Sequence, residues 1–224
     1  MSSTNRTLVI MAKAPRLGCV KTRLAENVSL EAVTDLYLCL LNDTIALAQT
    51  LNHVEIAIMC PAADVEDLSR TVANSVPIVA QTGEGLAAGL DSVFAHFVID
   101  GHRVIAFNSD SPHLPALVLE SAFDALATCD LVVGPTHDGG YYLVGARAFH
   151  PGLFVNDTMG TVNAFNALLA RARGLGLSTF LTPRFYDVDI AEDLHQLAAE
   201  LKRTPARAPR TAAWLLDRAR TERW

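Results

Sequence analysis

Short apolar runs rich in β-formers recur along this chain, and between them lie longer segments whose apolar residues repeat at helical spacing. The runs are continuous, where a strand with one wet face would alternate, so they read as strands buried on both faces, in a parallel sheet covered by helices on each side. Thr7-Leu-Val-Ile-Met11 is the first. A helix is expected over Leu30 to Leu51, then a strand over Val54 to Met59, a helix over Asp64 to Ala73 and a short strand over Pro77 to Ala80. A helix over Leu86 to Val98 and a strand over Arg103 to Asn108 follow. A proline opens the helix over Pro115 to Ala127, and Asp130 to Gly134 is the next strand. The rhythm then breaks: Tyr141 to Gly145 is a strand with no helix before it, which predicts a small antiparallel insertion. A helix over Thr161 to Leu175 and a strand over Ser178 to Leu181 restore the pattern. The fold class expected is α/β.

With 224 residues, half of them apolar, the chain can bury one substantial core. One domain is expected over residues 1–202, followed by a polar, proline-broken linker from Arg203 to Pro209 and a last helix over Thr211 to Arg220. The 18 Lys and Arg against 24 Asp and Glu give a net charge of -6, so no nucleic-acid partner is expected. No apolar run approaches the roughly 20 residues of a membrane span, and Leu8 to Met11 is too short for a secretory signal, so a cytoplasmic location is expected. Cys19, Cys39, Cys60 and Cys129 form no CxxC pair, which argues against a zinc knuckle or a disulfide scaffold.

Open parallel sheets bind ligands outside the carboxyl ends of their strands, where loops converge and helix N-termini point their N–H groups. Four polar clusters sit at such places. Ala12-Lys-Ala-Pro-Arg-Leu-Gly-Cys-Val-Lys-Thr-Arg23 follows the first strand. Its four cations, Lys13, Arg16, Lys21 and Arg23, can surround a phosphate chain, with Pro15 and Gly18 shaping the backbone. Neither GxxxxGK[ST] nor GxGxxG is present, so an ordinary P-loop ATPase and a dinucleotide dehydrogenase are unsupported. The bland alternative is a solvated basic loop.

Asn108-Ser-Asp-Ser-Pro112 places Asp110 at the end of a buried strand, a natural Mg²⁺ ligand, or else a cap for the helix near Pro115. Gly134-Pro-Thr-His-Asp-Gly-Gly-Tyr-Tyr142 combines a hairpin signal with residues suited to an acceptor: Asp138, Gly139, Gly140, Tyr141 and Tyr142. In Tyr186-Asp-Val-Asp-Ile-Ala-Glu-Asp-Leu194, Asp187 and Asp189 share a face. Asp189 either caps the helix from Ala191 or shares a metal with Asp110. His113 and His137 either position the acceptor and take its proton or, as is commoner for such residues, are surface histidines; neither is counted as catalytic.

In this order the clusters resemble the bacterial glycosyltransferase-like proteins of the nucleotide-diphospho-sugar transferase superfamily, from Leu8 to about Leu197. The resemblance rests on Ala12-Lys-Ala-Pro15 with Gly18, Lys21-Thr-Arg-Leu24, Ser109-Asp-Ser-Pro112, Asp138-Gly-Gly-Tyr-Tyr-Leu-Val-Gly145, and Asp187-Val-Asp189 with Glu192-Asp-Leu194. It implies a single GT-A-like (Rossmann-like) three-layer domain. Lys21-Thr-Arg-Leu24 and the Asp187 to Leu194 run are also similar to phospholactate guanylyltransferases and molybdopterin nucleotidyltransferases. That similarity implies a first loop holding a nucleoside triphosphate, with Ala12, Lys13, Ala14, Pro15, Gly18, Lys21, Thr22 and Arg23. It also implies Mg²⁺ (or Mn²⁺) on Asp110 and Asp189. Gln81, with Gly83 and Gly85, corresponds to a further nucleotide-binding segment, although the family's arginine is lacking there. Met159-Gly160-Thr161 stands where the family has Trp-Gly-Thr, so Gly160 and Thr161 join the acceptor side.

Two reactions suit this pattern. Nucleotidyl transfer from a nucleoside triphosphate to a small phosphorylated acceptor needs many cations around the phosphates. Glycosyl transfer from a nucleotide-sugar needs chiefly a metal on the diphosphate leaving group. The cations after the first strand favour the former, with Lys13, Arg23 and Asp110 as catalytic residues. A nucleotide-binding module without catalysis is the remaining alternative.

Overall fold

Strand β1 (Arg6–Met11) is central because Thr7 to Ile10 are all buried, leaving neither face for water. In this computed structural model, which describes residues 5–72, 76–99, 101–155 and 158–221, it pairs in parallel with β2 (Glu55–Cys60) and with β4 (Arg103–Asn108). Beyond β2 lies β3 (Ile78–Ala80); beyond β4 come β6 (Tyr141–Ala146), β5 (Leu131–Pro135) and β7 (Thr179–Leu181). The order is β3-β2-β1-β4-β6-β5-β7, and β6 alone among these strands runs against its neighbours. The antiparallel insertion expected at Tyr141 to Gly145 is this strand.

Alternation along each strand sorts the core into two layers. Leu8, Ile10, Ile58, Ile105 and Phe107 face Tyr37, Leu41 and Ile45 of α1 (Leu30–Gln49), Leu68 of α2 (Val65–Thr71), and Leu119 and Phe123 of α4 (Ala116–Ala125). Val9, Met59, Val104, Ala106 and Val133 face Leu90, Val93 and Phe94 of α3 (Gly85–Phe97), and Phe165 and Leu168 of α5 (Ala164–Gly174). Full burial of each such side chain is worth about 1.5–3 kcal/mol against exposure, so the two layers hold the sheet between its helices. Ala73, expected at the end of α2, lies outside the described residues. Helix α5 starts at Ala164, later than Thr161, because the Thr161 hydroxyl donates to the Thr158 carbonyl and accepts from Asn163 N, closing a turn.

A third apolar cluster joins Leu36 and Leu40 of α1 to Leu194, Leu197 and Leu201 of α6 (Ala191–Leu201) and Leu215 of α7 (Pro209–Thr221). The segment expected as a linker is thus partly packed, with Ala208 fully buried and a short 3₁₀ turn at Pro205–Arg207. Its anchor is Asp43, a buried acid midway along α1. Its carboxylate accepts from the backbone N–H groups of Arg210 (3.2 Å) and Thr211 (2.8 Å), capping α7 from another helix.

Replacing Asp43→Ala removes the partner of two helix N–H groups and is expected to lower stability by roughly 2 kcal/mol. Urea unfolding monitored by circular dichroism measures this, and an unchanged midpoint would show that α7 docks by apolar packing alone.

Candidate functional site

The β1–β4 register sets Met11 opposite Asn108, so the loops that leave these strands start side by side. This is where the chain order reverses across the sheet, with α1 on one face and α3 on the other, and a crevice opens between the strand ends. The segment before α6 reaches the same place. A parallel bridge between Thr136 and Phe185 extends the sheet past β5 and delivers Asp187 and Asp189.

Helix α1 fixes the two loops. The Tyr37 hydroxyl accepts from Lys13 N (3.0 Å) and lies 3.2 Å from both the Lys13 carbonyl and Ser109 Oγ. Burial pushes its pKa up, so it stays a neutral linker. Thr44 Oγ1 donates to the Ser109 carbonyl (3.1 Å). Neither residue stands out in sequence, because both sit within an ordinary amphipathic helix.

Lys21 is the hub. Its backbone lies in the left-handed region at φ +48°, a conformation that L-residues rarely adopt, and its side chain is 5% exposed. Its ammonium donates to Asp110 Oδ2 and to Asp189 Oδ1, the latter at 2.7 Å. Burial opposes its charge, but the two carboxylates outweigh that and raise its pKa. Burial also works against ionised Asp189, yet Lys21 and then Arg23 hold it below its ordinary value. Arg23 Nη1 stands 3.7 Å from Asp189 Oδ2 and is largely exposed. Asp189 does not cap α6. Asp193 does, its Oδ2 accepting from the backbone N–H groups of Asp189 and Ile190 (both 2.9 Å), which leaves the Asp189 carboxylate for cations.

Asp187, absent from the metal ligands expected by sequence, completes the group. Asp110, Asp187 and Asp189 each present a carboxylate oxygen, all within 4.8 Å of one another. Burial, then the charges of Asp110 and Asp189, push Asp187 up to about 7. Burial likewise raises Asp110, against the pull of Lys21. Asp110 Oδ1 is buried and accepts no hydrogen bond from another described residue. One ammonium among three carboxylates leaves an excess of negative charge and an unused buried oxygen, and a hard divalent cation fits such an oxygen set.

Lys21, Arg23, Asp110 and Asp189 border a cavity of about 630 Å³; Asp187 does not line it. Of the expected nucleotide-binding residues, Ala12, Lys13, Lys21, Thr22, Arg23, Gln81 and Gly85 line it; Ala14, Pro15, Gly18 and Gly83 do not. Arg16 is a correction. It turns away from the cavity to Asp64 and Asp67 at the start of α2, its Nε 2.7 Å from Asp67 Oδ2, while Ala14 N donates to Asp64 Oδ2 (2.9 Å). The first loop thus presents three cations to the cavity, and Arg16 clamps its shape. Gln81 Nε2 donates to the carbonyls of Gly83 (3.1 Å) and Gly85 (3.2 Å), so its amide shapes its own loop. Gly89, unremarked in sequence, fits tightly there: a Cβ would lie 2.7 Å from Gln81 Oε1.

The expected acceptor residues border a different edge, and none of them lines this cavity. Asp138 Oδ1 accepts from Thr136 Oγ1 (2.5 Å) and Gly140 N (3.1 Å), closing the hairpin. A Cβ on Gly139 would meet the Val162 carbonyl at 2.0 Å, so this glycine serves close packing. Tyr142 departs from expectation: its ring is 1% exposed and its hydroxyl is taken by Thr182 Oγ1 (2.6 Å) and the Pro183 carbonyl (2.9 Å). Tyr141 is half-buried, its hydroxyl donating to Met159 Sδ (3.2 Å). Gly160 and Thr161 form the turn beside them. Asp138 is near enough for its charge to raise Asp187, so this hairpin adjoins the carboxylates. His137 is exposed, as expected. His113 is not: it is fully buried against Phe185 (4.9 Å) and Tyr186 (4.3 Å), and burial lowers its pKa to about 3.

Residues 44–161 match the model of a family described as uncharacterized protein conserved in bacteria (DUF2064). No curated protein matches the sequence. Among solved structures, a protein of Desulfovibrio desulfuricans G20 named as a candidate nucleotide-diphospho-sugar transferase superposes with a TM-score of 0.88 at 27% identity, over 96% of each chain. A nucleotidyl transferase from Methanothermobacter thermautotrophicus gives 0.64 at 16% identity, over 89% of this chain and 99% of that one. Rv0371c of Mycobacterium tuberculosis H37Rv, in complex with manganese, gives 0.53 at 17% identity over 88% and 98%. The chain has the fold of the nucleotide-diphospho-sugar transferases.

The crowded carboxylates make ion-free stability depend on pH. Asp187 titrates near 7 when folded against an ordinary 3.8, so its contribution is fully present below about pH 4 and is lost as pH rises through 7. Asp187→Asn is therefore expected to raise the Tm of the ion-free protein clearly more at pH 8 than at pH 5. Equal shifts at both values would show that Asp187 carries no such repulsion.

Proposed function

The chain belongs to the DUF2064 family, and we propose that it is a metal-dependent nucleotidyltransferase, joining a nucleoside triphosphate to a small phosphorylated acceptor with release of pyrophosphate. What carries this reading is one cavity lined by opposite charges, Lys13 and Arg23 of the first loop and Asp110 and Asp189 of the later ones, with Asp187 grouped beside the two acids. A binder of simple anions has no use for the acids, and a bare metal site has no use for the cations. The cavity volume suits a nucleotide, with Met11, Met59, Pro61 and Leu86 supplying apolar lining.

Asp110, Asp187 and Asp189 would hold Mg²⁺ or Mn²⁺; the manganese complex of the structurally similar Rv0371c supports such a metal. When bound, the cation offsets negative charge at the phosphates and activates the acceptor oxygen for attack. Lys13 and Arg23 pair with the phosphates and stabilise the charge that gathers on the departing pyrophosphate. Tyr37 keeps Lys13 in place through the loop backbone. The bond from the α-phosphorus to the acceptor oxygen forms as the bond to the bridging oxygen breaks, with no side chain covalently modified. Asp138, Tyr141, Gly160 and Thr161 are assigned to the acceptor side, and Tyr142 to their support. Among the described residues no helix is long and apolar enough to cross a membrane, and a cytoplasmic site of action suits nucleotide substrates.

Glycosyl transfer is the second reading, favoured by the name of the Desulfovibrio protein. Incubation with each nucleoside triphosphate, Mg²⁺ and pooled phosphorylated metabolites is expected to release pyrophosphate, and Asp110→Asn to cut kcat by roughly 10²–10³-fold. Nucleoside diphosphate released from nucleotide-sugars, without pyrophosphate from triphosphates, would instead establish glycosyl transfer. Nucleotide binding with neither product would mark a binding module.

A further inference from the structure

Lys21 stands inside the acidic group that the cation is assigned to. Its ammonium bonds two of the three candidate ligands, Asp110 and Asp189, and its side chain is 5% exposed. The placement is built: a positive φ at a non-glycine residue turns the side chain inward, where a more ordinary backbone would send it elsewhere. Arg23, two residues on, reaches Asp189 only at 3.7 Å and points largely to solvent. The loop therefore commits one particular cation to the carboxylates.

We propose that Lys21 is an exchangeable internal counter-ion that makes metal and phosphate binding interdependent. This inference rests on the metal and nucleotide assignment above. A divalent ion entering alone competes with Lys21 for the Asp110 and Asp189 carboxylates, and drawing them away leaves a buried ammonium short of partners, which is unfavourable. A metal that arrives with a phosphate chain supplies the replacement: the ammonium leaves the carboxylates and takes a phosphate oxygen in the same cavity, which Lys21 lines. Free metal is thereby disfavoured and the metal–phosphate complex is selected. The coupling is reciprocal, so the metal strengthens phosphate binding by the same factor that phosphate strengthens metal binding. The chemical class recognised is a divalent cation complexed to a polyphosphate. Asp187, which shows no hydrogen bond or ion pair with Lys21 among the described residues, keeps its carboxylate in the acidic group throughout the exchange.

The full-length protein is titrated with Mn²⁺ alone and with preformed Mn²⁺–tripolyphosphate, a probe that needs no knowledge of the base. Wild type is expected to bind the complex at least about tenfold more tightly than the free ion; Lys21→Met should tighten free Mn²⁺ by about tenfold and shrink that preference. Unchanged or weaker free-ion binding by folded Lys21→Met overturns the proposal. A second readout uses wild type only: acetylation of Lys21, followed by mass spectrometry with exposed Lys202 as reference. Mn²⁺ alone should increase it, and Mn²⁺–tripolyphosphate should suppress it again. Labelling indifferent to saturating Mn²⁺ overturns the proposal even if the variant does not fold. Absence of Mn²⁺ binding in every form overturns the metal assignment as well, whereas tight Mn²⁺ binding unaffected by Lys21 overturns this inference alone.

Discussion

The ion pair of Lys21 with Asp110 and Asp189 ties together three segments that are far apart in the chain: the loop after β1, the loop after β4 and the approach to α6. Each of the three loops buries apolar side chains, Ala14 and Val20 in the first, Leu114 in the second and Val188 in the third, and the ion pair links them to one another above that packing. The arrangement is deliberately unbalanced. Asp187 is pushed up to about 7 by burial and by its neighbours, and Asp110 keeps a buried oxygen that accepts no hydrogen bond from another described residue. A structure built only for stability would pair these groups or replace them with apolar ones, since a buried ion pair is weak support for a fold. Retained imbalance at a strand-end crevice is what a site for a charged ligand requires.

Stiffness behind this site comes from α1, which does three jobs with three polar side chains. Tyr37 fixes the Lys13 backbone, Thr44 holds Ser109 and Asp43 caps α7. The C-terminal helix is thereby connected, through α1, to both loops that supply the site. Asp193 adds a fourth support by capping α6 and leaving the Asp189 carboxylate free for cations.

The strands were legible because parallel strands buried on both faces must be continuous apolar runs; β4 spans Arg103–Asn108 as its pattern requires, and β6 runs antiparallel as its missing helix implies. That Asp110 and Asp189 come together was legible because polar residues placed after strand ends converge at the open end of the sheet. What sequence concealed was pairing across long separations. Arg16 looks like a phosphate ligand until Asp64 and Asp67, about fifty positions on, are seen beside it. Tyr141 and Tyr142 look equivalent, but strand alternation sends the second into the core. His113 reads as a polar loop residue, yet the Phe185 and Tyr186 rings enclose it. The net charge of -6 likewise hides the gathering of three cations of one loop, Lys13, Lys21 and Arg23, with Asp110 and Asp189 of others in the lining of one cavity.

The most direct measurement is a crystal structure of the protein soaked with Mn²⁺ and a non-hydrolysable nucleoside triphosphate, with data collected at the manganese absorption edge. The account predicts an anomalous peak among Asp110, Asp187 and Asp189, with the triphosphate lying toward Lys13 and Arg23. A peak elsewhere, or nucleotide density outside this crevice while Lys21 still bridges Asp110 and Asp189, would contradict it.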